Sequence, residues 1–328
     1  MHPAFSVIFL TTLIGAGQGL FLALFGAESL GLLGVLPAPG SEFLALGSLI
    51  ALIFLVLGLV ASFFHLGRPE RAWRTATKWR TSWLAREVIV LPAFMGVVFL
   101  YGVAHWFGFN PPLGTLAGGY PVLPTVLLGA LGALLAIVLY ITTAMIYACI
   151  KFLQEWHSPL TVVNYTVLGA ASGFTLAAAY AAWAGAAGLV NFLVTVAIVL
   201  TVLGLATRAA SLVRNSRIKA KSTLQTAIGV KHPKIQQKSQ GFMGGSFNTR
   251  EFFHHMSAAF LRGMKWVFLL AAFVIPAILL LVVLATRVDP TGVLIAAFVT
   301  QYLGLIAERW FFFAQANHPQ NIYYQSVA

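Results

Sequence analysis

The sequence predicts an all-α integral membrane protein, a bundle of eight transmembrane helices with both termini in the cytoplasm. Three observations carry that prediction. Of 328 residues, 59% are hydrophobic and only 9% are charged, with a mean hydropathy of +0.88, whereas soluble domains are about 25% charged. Runs without a charged residue cover 1–27, 43–67, 88–150, 156–207, 266–286 and 290–307, and each is near or above the roughly 20 residues that a spanning helix needs. Within lipid the backbone must satisfy its own polar groups, which leaves helices or a closed barrel, and long uninterrupted runs select helices. The formal charge of +12 is confined largely to two connections.

The elements follow in order. The first span, near 5–25, lacks the basic leader and small-residue cleavage site of a secretory signal and is read as a mature helix. Gly15, Gly17 and Gly19 line it, and Gly169 and Gly173 form a GxxxG spacing in the fifth span; both are read as surfaces for close helix approach. The second span, near 43–66, ends with His65 before Gly67 and Pro69 break it. The 88–150 run holds spans three and four, near 83–108 and 122–150, separated by turn formers from Asn110-Pro111-Pro112 to Tyr120-Pro121. The 156–207 run likewise holds spans five and six, near 160–182 and 189–209, divided between Gly185 and Asn191. Spans near 264–286 and 291–313 complete the bundle, so residues 1–328 read as a single polytopic domain.

The connection from 66 to 82 carries Arg68, Arg71, Arg74, Lys78 and Arg80 against Glu70, a net +4, and the segment from 208 to 265 carries eleven Lys or Arg against Glu251, a net +10. Everything else sums to −2. Both basic segments follow even-numbered spans, so alternation puts them on one face, and the positive-inside rule makes that face cytoplasmic. The middle of 208–265 is too polar for a core of its own. It reads either as a loop facing anionic lipid or as a docking surface for a soluble partner. Topology accounts for its charge without nucleic acid.

Ionisable residues at membrane depth mark functional sites by default. They concentrate where span two ends and span three begins, at His65 and Glu87, with Ser82 as the cap of span three. A short connection makes these spans neighbours, which puts His65 and Glu87 at similar depth. An imidazole and a carboxylate beside one pocket suit a quinone head group, whose reduction takes up two protons with two electrons. Arg71 and Arg86 stand close enough in sequence to tune its charge. The competing reading is an interfacial histidine with Glu87 paired to Arg86 as an anchor. Gln18, Asn164 and Tyr165 would line the pocket or else bond neighbouring helices. Trp73, Trp79 and Trp83 read as an interfacial aromatic belt.

Haem is not expected. His105 lies on the order of 27 Å along its helix from Glu87, too far to share an iron with His65, and His157, His254, His255 and His318 fall outside the spans. One cysteine, Cys149, cannot ligate an iron-sulfur cluster within this chain, and no metal site is expected. The spans show no paired central charges, which weighs against a transporter.

The run His65-Leu66-Gly67-x-Pro69-x-Arg71-Ala72, followed by Trp83 to Glu87, resembles the dimethyl sulfoxide reductase membrane-anchor family, and Ser158-Pro159-Leu160-Thr161-x-x-Asn164-Tyr165 resembles that family's entry to its fifth helix. The resemblance implies an eight-helix anchor in a bacterial inner membrane, with the quinone site at the positions of His65 and Glu87 and no haem. It also implies two partners, a four-cluster ferredoxin-like iron-sulfur protein and a molybdopterin catalytic protein. The opening Met1 to Phe9, with Gly15-Ala16-Gly17-Gln18-Gly19, is similar to the branch serving cytoplasmic sulfite oxidation. Electrons would then pass from sulfite to the quinone pool. The reverse flow, from menaquinol to a sulfoxide, is the alternative, and a purely structural anchor is the third reading.

Overall fold

A computed structural model of the chain describes residues 3–115, 119, 121–219, 223–236, 256–286 and 289–317. Among these residues, eight helices are long and apolar enough to cross a membrane. They are α1 (Phe5–Leu32), α2 (Ser41–Phe63), α3 (Trp83–Trp106), α4 (Pro124–Ala148), α5 (Pro159–Trp183), α6 (Ala187–Ser216) and, after the short α7 (Leu224–Ile228), α8 (Ala258–Ala285) and α9 (Pro290–Ala314). A 3-10 helix, Pro69–Lys78, joins α2 to α3. In the α3–α4 connection, β1 (Gly114–Thr115) and β2 (Pro121–Val122) pair antiparallel. His254, His255, His318 and much of the basic 208–265 segment lie outside the described residues.

Helix starts follow cap chemistry. Ser82 accepts a hydrogen bond from the Ala85 amide, Ser158 from Leu160, Ser257 from Phe260 and Asp289 from Thr291, each satisfying a backbone donor that the first turn leaves open. Pro159 and Pro290 occupy first-turn positions, where no donor is lost. Four boundaries differ from the sequence expectation, and one of them is the start of α8, at Ala258 rather than near 264. Helix α2 ends at Phe63, so His65 sits in the following turn rather than at a helix end. Helices α1 and α6 run past Glu28 and Arg208, the limits set by the charge-free runs. Both side chains find partners on other helices, so neither ends its span.

Helix α1 is central and packs against α2, α4, α5 and α9. Its approach to α5 depends on missing side chains: a Cβ on Gly173 would stand 2.3 Å from the Gly19 backbone, and one on Gly19 2.7 Å from the Gly169 carbonyl. Of the small residues expected to permit close approach, Gly15, Gly19, Gly169 and Gly173 form the α1–α5 contact, while Gly17 faces Ala51 and Leu55 of α2. Helix α8 contains a π turn at Leu270–Val274, just before Pro276. Proline has no amide hydrogen for the Ala272 carbonyl, and Gln301 of α9 supplies one from its side chain, at 3.4 Å. Gly304 gives α9 its close approach there, since a Cβ would lie 2.2 Å from the Ala272 nitrogen.

Candidate functional site

The Ser82 cap starts α3 at Trp83, which brings Glu87 round to the buried side of the bundle. Its carboxylate accepts a 2.5 Å hydrogen bond from the Thr143 hydroxyl of α4. Together with Gln18 and Gly15 of α1, Tyr140 of α4 and Tyr165 of α5, these residues wall a small cavity with room for about one water molecule. The Gln18 amide donates to the Ala136 carbonyl and the Tyr140 hydroxyl to the Gly15 carbonyl, each at 2.8 Å. Four helices thus meet at one carboxylate.

Of the residues picked out from sequence, the fold brings Gln18, Glu87 and Tyr165 to this cavity. His65 is not among its walls; it is exposed in the turn after α2, where partial desolvation pulls its imidazole below the usual range. Arg71 stands 3.8 Å from Glu70 on the surface. Arg86 turns away from Glu87: it stacks 4.0 Å over the Trp83 ring and donates at 2.9 Å to the carbonyls of Trp79 and Arg80. Among the ion pairs of the described residues, none joins Glu87 to Arg86. Trp73 and Trp79 are exposed, each with a neighbouring arginine over its ring.

Asn164 faces a second cavity. Its amide nitrogen donates to the Ser211 hydroxyl at 2.7 Å, while its Oδ1 is buried without a hydrogen-bond partner. This cavity is bordered by Glu155, Ser158, Ser211 and Asn215 and by a cluster that sequence reasoning missed. Arg208 of α6 and Arg309 of α9 each hold Glu308, at 2.6 and 2.7 Å, with the three residues only 2%, 4% and 0% exposed. The sequence expectation concerned paired charges at the centres of the spans; this cluster lies toward the C-terminal ends of α6 and α9 and was not foreseen. In the sequence Arg208 falls in with the basic segment because it follows a long apolar run, and the signal that points inward is the adjacent Glu308-Arg309 pair within an apolar helix. The Arg309 guanidinium also lies 3.9 Å over the Tyr165 ring, which stacks on Tyr147.

The connections close this end of the bundle. Arg214 donates at 3.0 Å to the carbonyls of both Gln154 and His157, and the Trp156 indole donates to the Phe312 carbonyl at 2.9 Å. Burial pushes the Glu155 carboxyl, in the α4–α5 connection, above its usual range.

A separate polar cluster sits at the opposite end of α3. Glu28 accepts from the Tyr101 and Thr125 hydroxyls, both at 2.7 Å, and its Oε1 lies 3.3 Å from His105 Nε2. Between Glu87 and this cluster, the buried face of α3 is Leu91, Phe94 and Val98, packed with Phe21 and Leu24 of α1. The two polar regions are separated by an apolar layer.

Residues 1–315 match the family model described as DMSO reductase anchor subunit (DmsC). The chain is also 57% identical to a sulfite dehydrogenase subunit of Allochromatium vinosum, over 328 residues that cover the whole of both chains.

Proposed function

The chain belongs to the DMSO reductase anchor subunit family, and on that premise we propose that it is the membrane anchor and quinone-reactive subunit of a sulfite dehydrogenase complex in a bacterial inner membrane. The observation that carries the quinone reading is the buried Glu87 in its polar cavity. Two carbonyl oxygens in an apolar body require hydrogen-bond donors, which the Glu87 carboxyl group held by Thr143 and, on leaving the Ala136 and Gly15 carbonyls, the Gln18 amide and the Tyr140 hydroxyl can supply. The chemistry of the walls fits a quinone head group. The space does not fit it at rest, so entry of the ring displaces side chains between α1, α3 and α4.

In this proposal quinone is the substrate, and the electrons come from an iron-sulfur partner, itself supplied by a molybdopterin protein that oxidises sulfite. Glu87 delivers a proton to a quinone oxygen, and Thr143 holds the carboxyl in place. His65, exposed at the same end of the bundle, is read as the group that meets quinone on arrival. The partners dock on the face bearing the 66–82 and 208–265 charges, which the positive-inside rule assigns to the cytoplasm with both termini. The sulfite direction is preferred over quinol oxidation because the Allochromatium vinosum relative belongs to a sulfite dehydrogenase.

The test replaces Glu87 by Gln and His65 by Gln, singly, in the assembled complex. Sulfite-driven reduction of a short-chain ubiquinone is compared with sulfite oxidation by an artificial acceptor that draws electrons from the soluble partners. Glu87→Gln is expected to lower the first roughly 100-fold and to leave the second unchanged. Undiminished quinone reduction in both variants would leave only a structural anchor.

A further inference from the structure

We propose that the protons consumed at Glu87 enter from the end of the bundle that carries the α4–α5 connection, along a file of small water-holding cavities that meet at Tyr165. The inference rests on the quinone reading above and adds the route by which its protons arrive. Three cavities share Tyr165 as a wall. The innermost holds Glu87, Gln18 and Tyr140; the next is bordered by Thr12, Ser172 and Arg309; the outermost is bordered by Asn164, Ser211 and Glu155. Each has room for about one or two water molecules.

The polar atoms along this file call for water. Asn164 Oδ1 and Arg309 Nη1 are buried without a hydrogen-bond partner, and such atoms in a polar cavity are where ordered water resides. The outermost cavity is bordered by Glu155 and Asn215, whose amide donates to the Glu155 carbonyl at 3.4 Å, so the file begins at the connections rather than in lipid. Glu155 lies outside the spans and holds its proton more tightly than an ordinary carboxylate, which suits a group that collects protons. The Arg208, Glu308 and Arg309 cluster carries one net positive charge, which keeps metal cations out of the file. Toward the other end, Leu91, Phe94 and Val98 of α3, with Phe21 and Leu24 of α1, form an apolar layer between Glu87 and Glu28.

The step balances simply. Quinone accepts two electrons from the partner's iron-sulfur centre and two protons from water at this end, forming two O–H bonds and releasing quinol. Asn164 acts only by holding water in the file, so it is a positioning residue.

The experiment uses the assembled complex in membrane vesicles, with sulfite as donor and a short-chain ubiquinone as acceptor. Asn164→Leu fills the outermost cavity with an apolar side chain of similar size, and Asn164→Ser keeps it polar. The expected result for Asn164→Leu is a fall in quinone turnover of roughly tenfold or more, with quinone KM and the artificial-acceptor rate unchanged. Added formic acid, a small carrier of protons, restores the rate, and Asn164→Ser stays near the parent. Turnover of Asn164→Leu within twofold of the parent overturns the route. So does a loss that formic acid does not restore and that follows a rise in KM, because that is damage to the quinone site. If Asn164→Leu does not assemble, Ser211→Val blocks the same cavity from α6. Glu87→Gln keeps the two readings apart: a slow Glu87→Gln with a fast Asn164→Leu retains the quinone site and rejects the route, while a fast Glu87→Gln rejects the site itself.

Discussion

Thr143 of α4 donates its hydroxyl hydrogen to Glu87 of α3 at 2.5 Å, so the buried carboxylate is held by a neutral donor on a neighbouring helix. Arg86, the residue next to it in the chain, is spent on backbone carbonyls at the membrane edge. A carboxyl group without a fixed cation exchanges its proton more readily than one locked in an ion pair, because no standing charge favours the ionised form. The bond to Thr143 therefore orients the group without pairing it to a fixed charge.

Thr143→Val tests this bond. It keeps the shape and removes the donor, leaving Glu87 less well satisfied in a low-dielectric setting at a cost of about 1–3 kcal/mol. Thermal unfolding of the detergent-solubilised complex should show the loss, and quinone turnover should fall with it. Thr143→Ser, which retains the hydroxyl, should recover both. Equal behaviour of the two variants would show that the hydroxyl does nothing for Glu87.

The α1–α5 contact gives a second prediction. Gly173→Ala puts a methyl 2.3 Å from the Gly19 backbone, which cannot swing aside as a side chain would. The helices must separate, at about 1–3 kcal/mol for overpacking. Gly26→Ala, on the same α1 with nothing within 4 Å of its Cβ, should be neutral or slightly stabilising through helix propensity. A melting-temperature comparison checks the pair, and a Gly173→Ala protein as stable as Gly26→Ala would contradict the close approach.

Charge-free runs, with the turn formers that divide two of them, locate every span because a membrane helix advertises itself locally, in the composition of about 20 consecutive residues. They fail where a charge inside a span is satisfied from far along the chain. Glu28 looks like the limit of α1, and Arg208 like the start of a loop, because Tyr101, Thr125 and Glu308 are distant in sequence and adjacent only in the fold. The site is partly legible for the same reason. Depth along the helices groups Gln18, Glu87 and Tyr165, but depth does not fix the direction a side chain faces. Asn164 and Tyr165 are consecutive, and about 100° of helical rotation sends Asn164 to a cavity that Glu87 does not share. For His65, an earlier end to α2 than its apolar run suggests is enough to leave it in an exposed turn.

The buried charges make a third prediction, about order. Arg208, Glu308 and Arg309 carry one net positive charge. Arg208→Met leaves a neutral Glu308–Arg309 pair, whereas Glu308→Gln leaves two guanidinium groups facing each other without a counter-ion. Removing the shared partner of a buried pair costs about 3–5 kcal/mol, so Glu308→Gln should unfold at the lower temperature of the two. The reverse order would mean that the cluster is hydrated well enough for its charges not to interact.

The sidedness of the bundle can be read with the chain's own thiol. Cys149 is the only cysteine, it is exposed, and it caps the end of α4. By alternation of the spans that end is also the one where α3 begins, close to Glu87, and where the two basic connections emerge. If the positive-inside rule holds, a membrane-impermeant maleimide should label Cys149 in inside-out vesicles and leave it untouched in intact spheroplasts, using membranes that contain this chain without its partners. Val230→Cys in a Cys149→Ser background should behave the same way, since Val230 is exposed in the second basic connection. Labelling of both positions from the outside would put the docking face in the periplasm. A cytoplasmic sulfite-oxidising partner would then have no surface to bind, and the Glu87 site would have to serve an acceptor on the other side of the membrane.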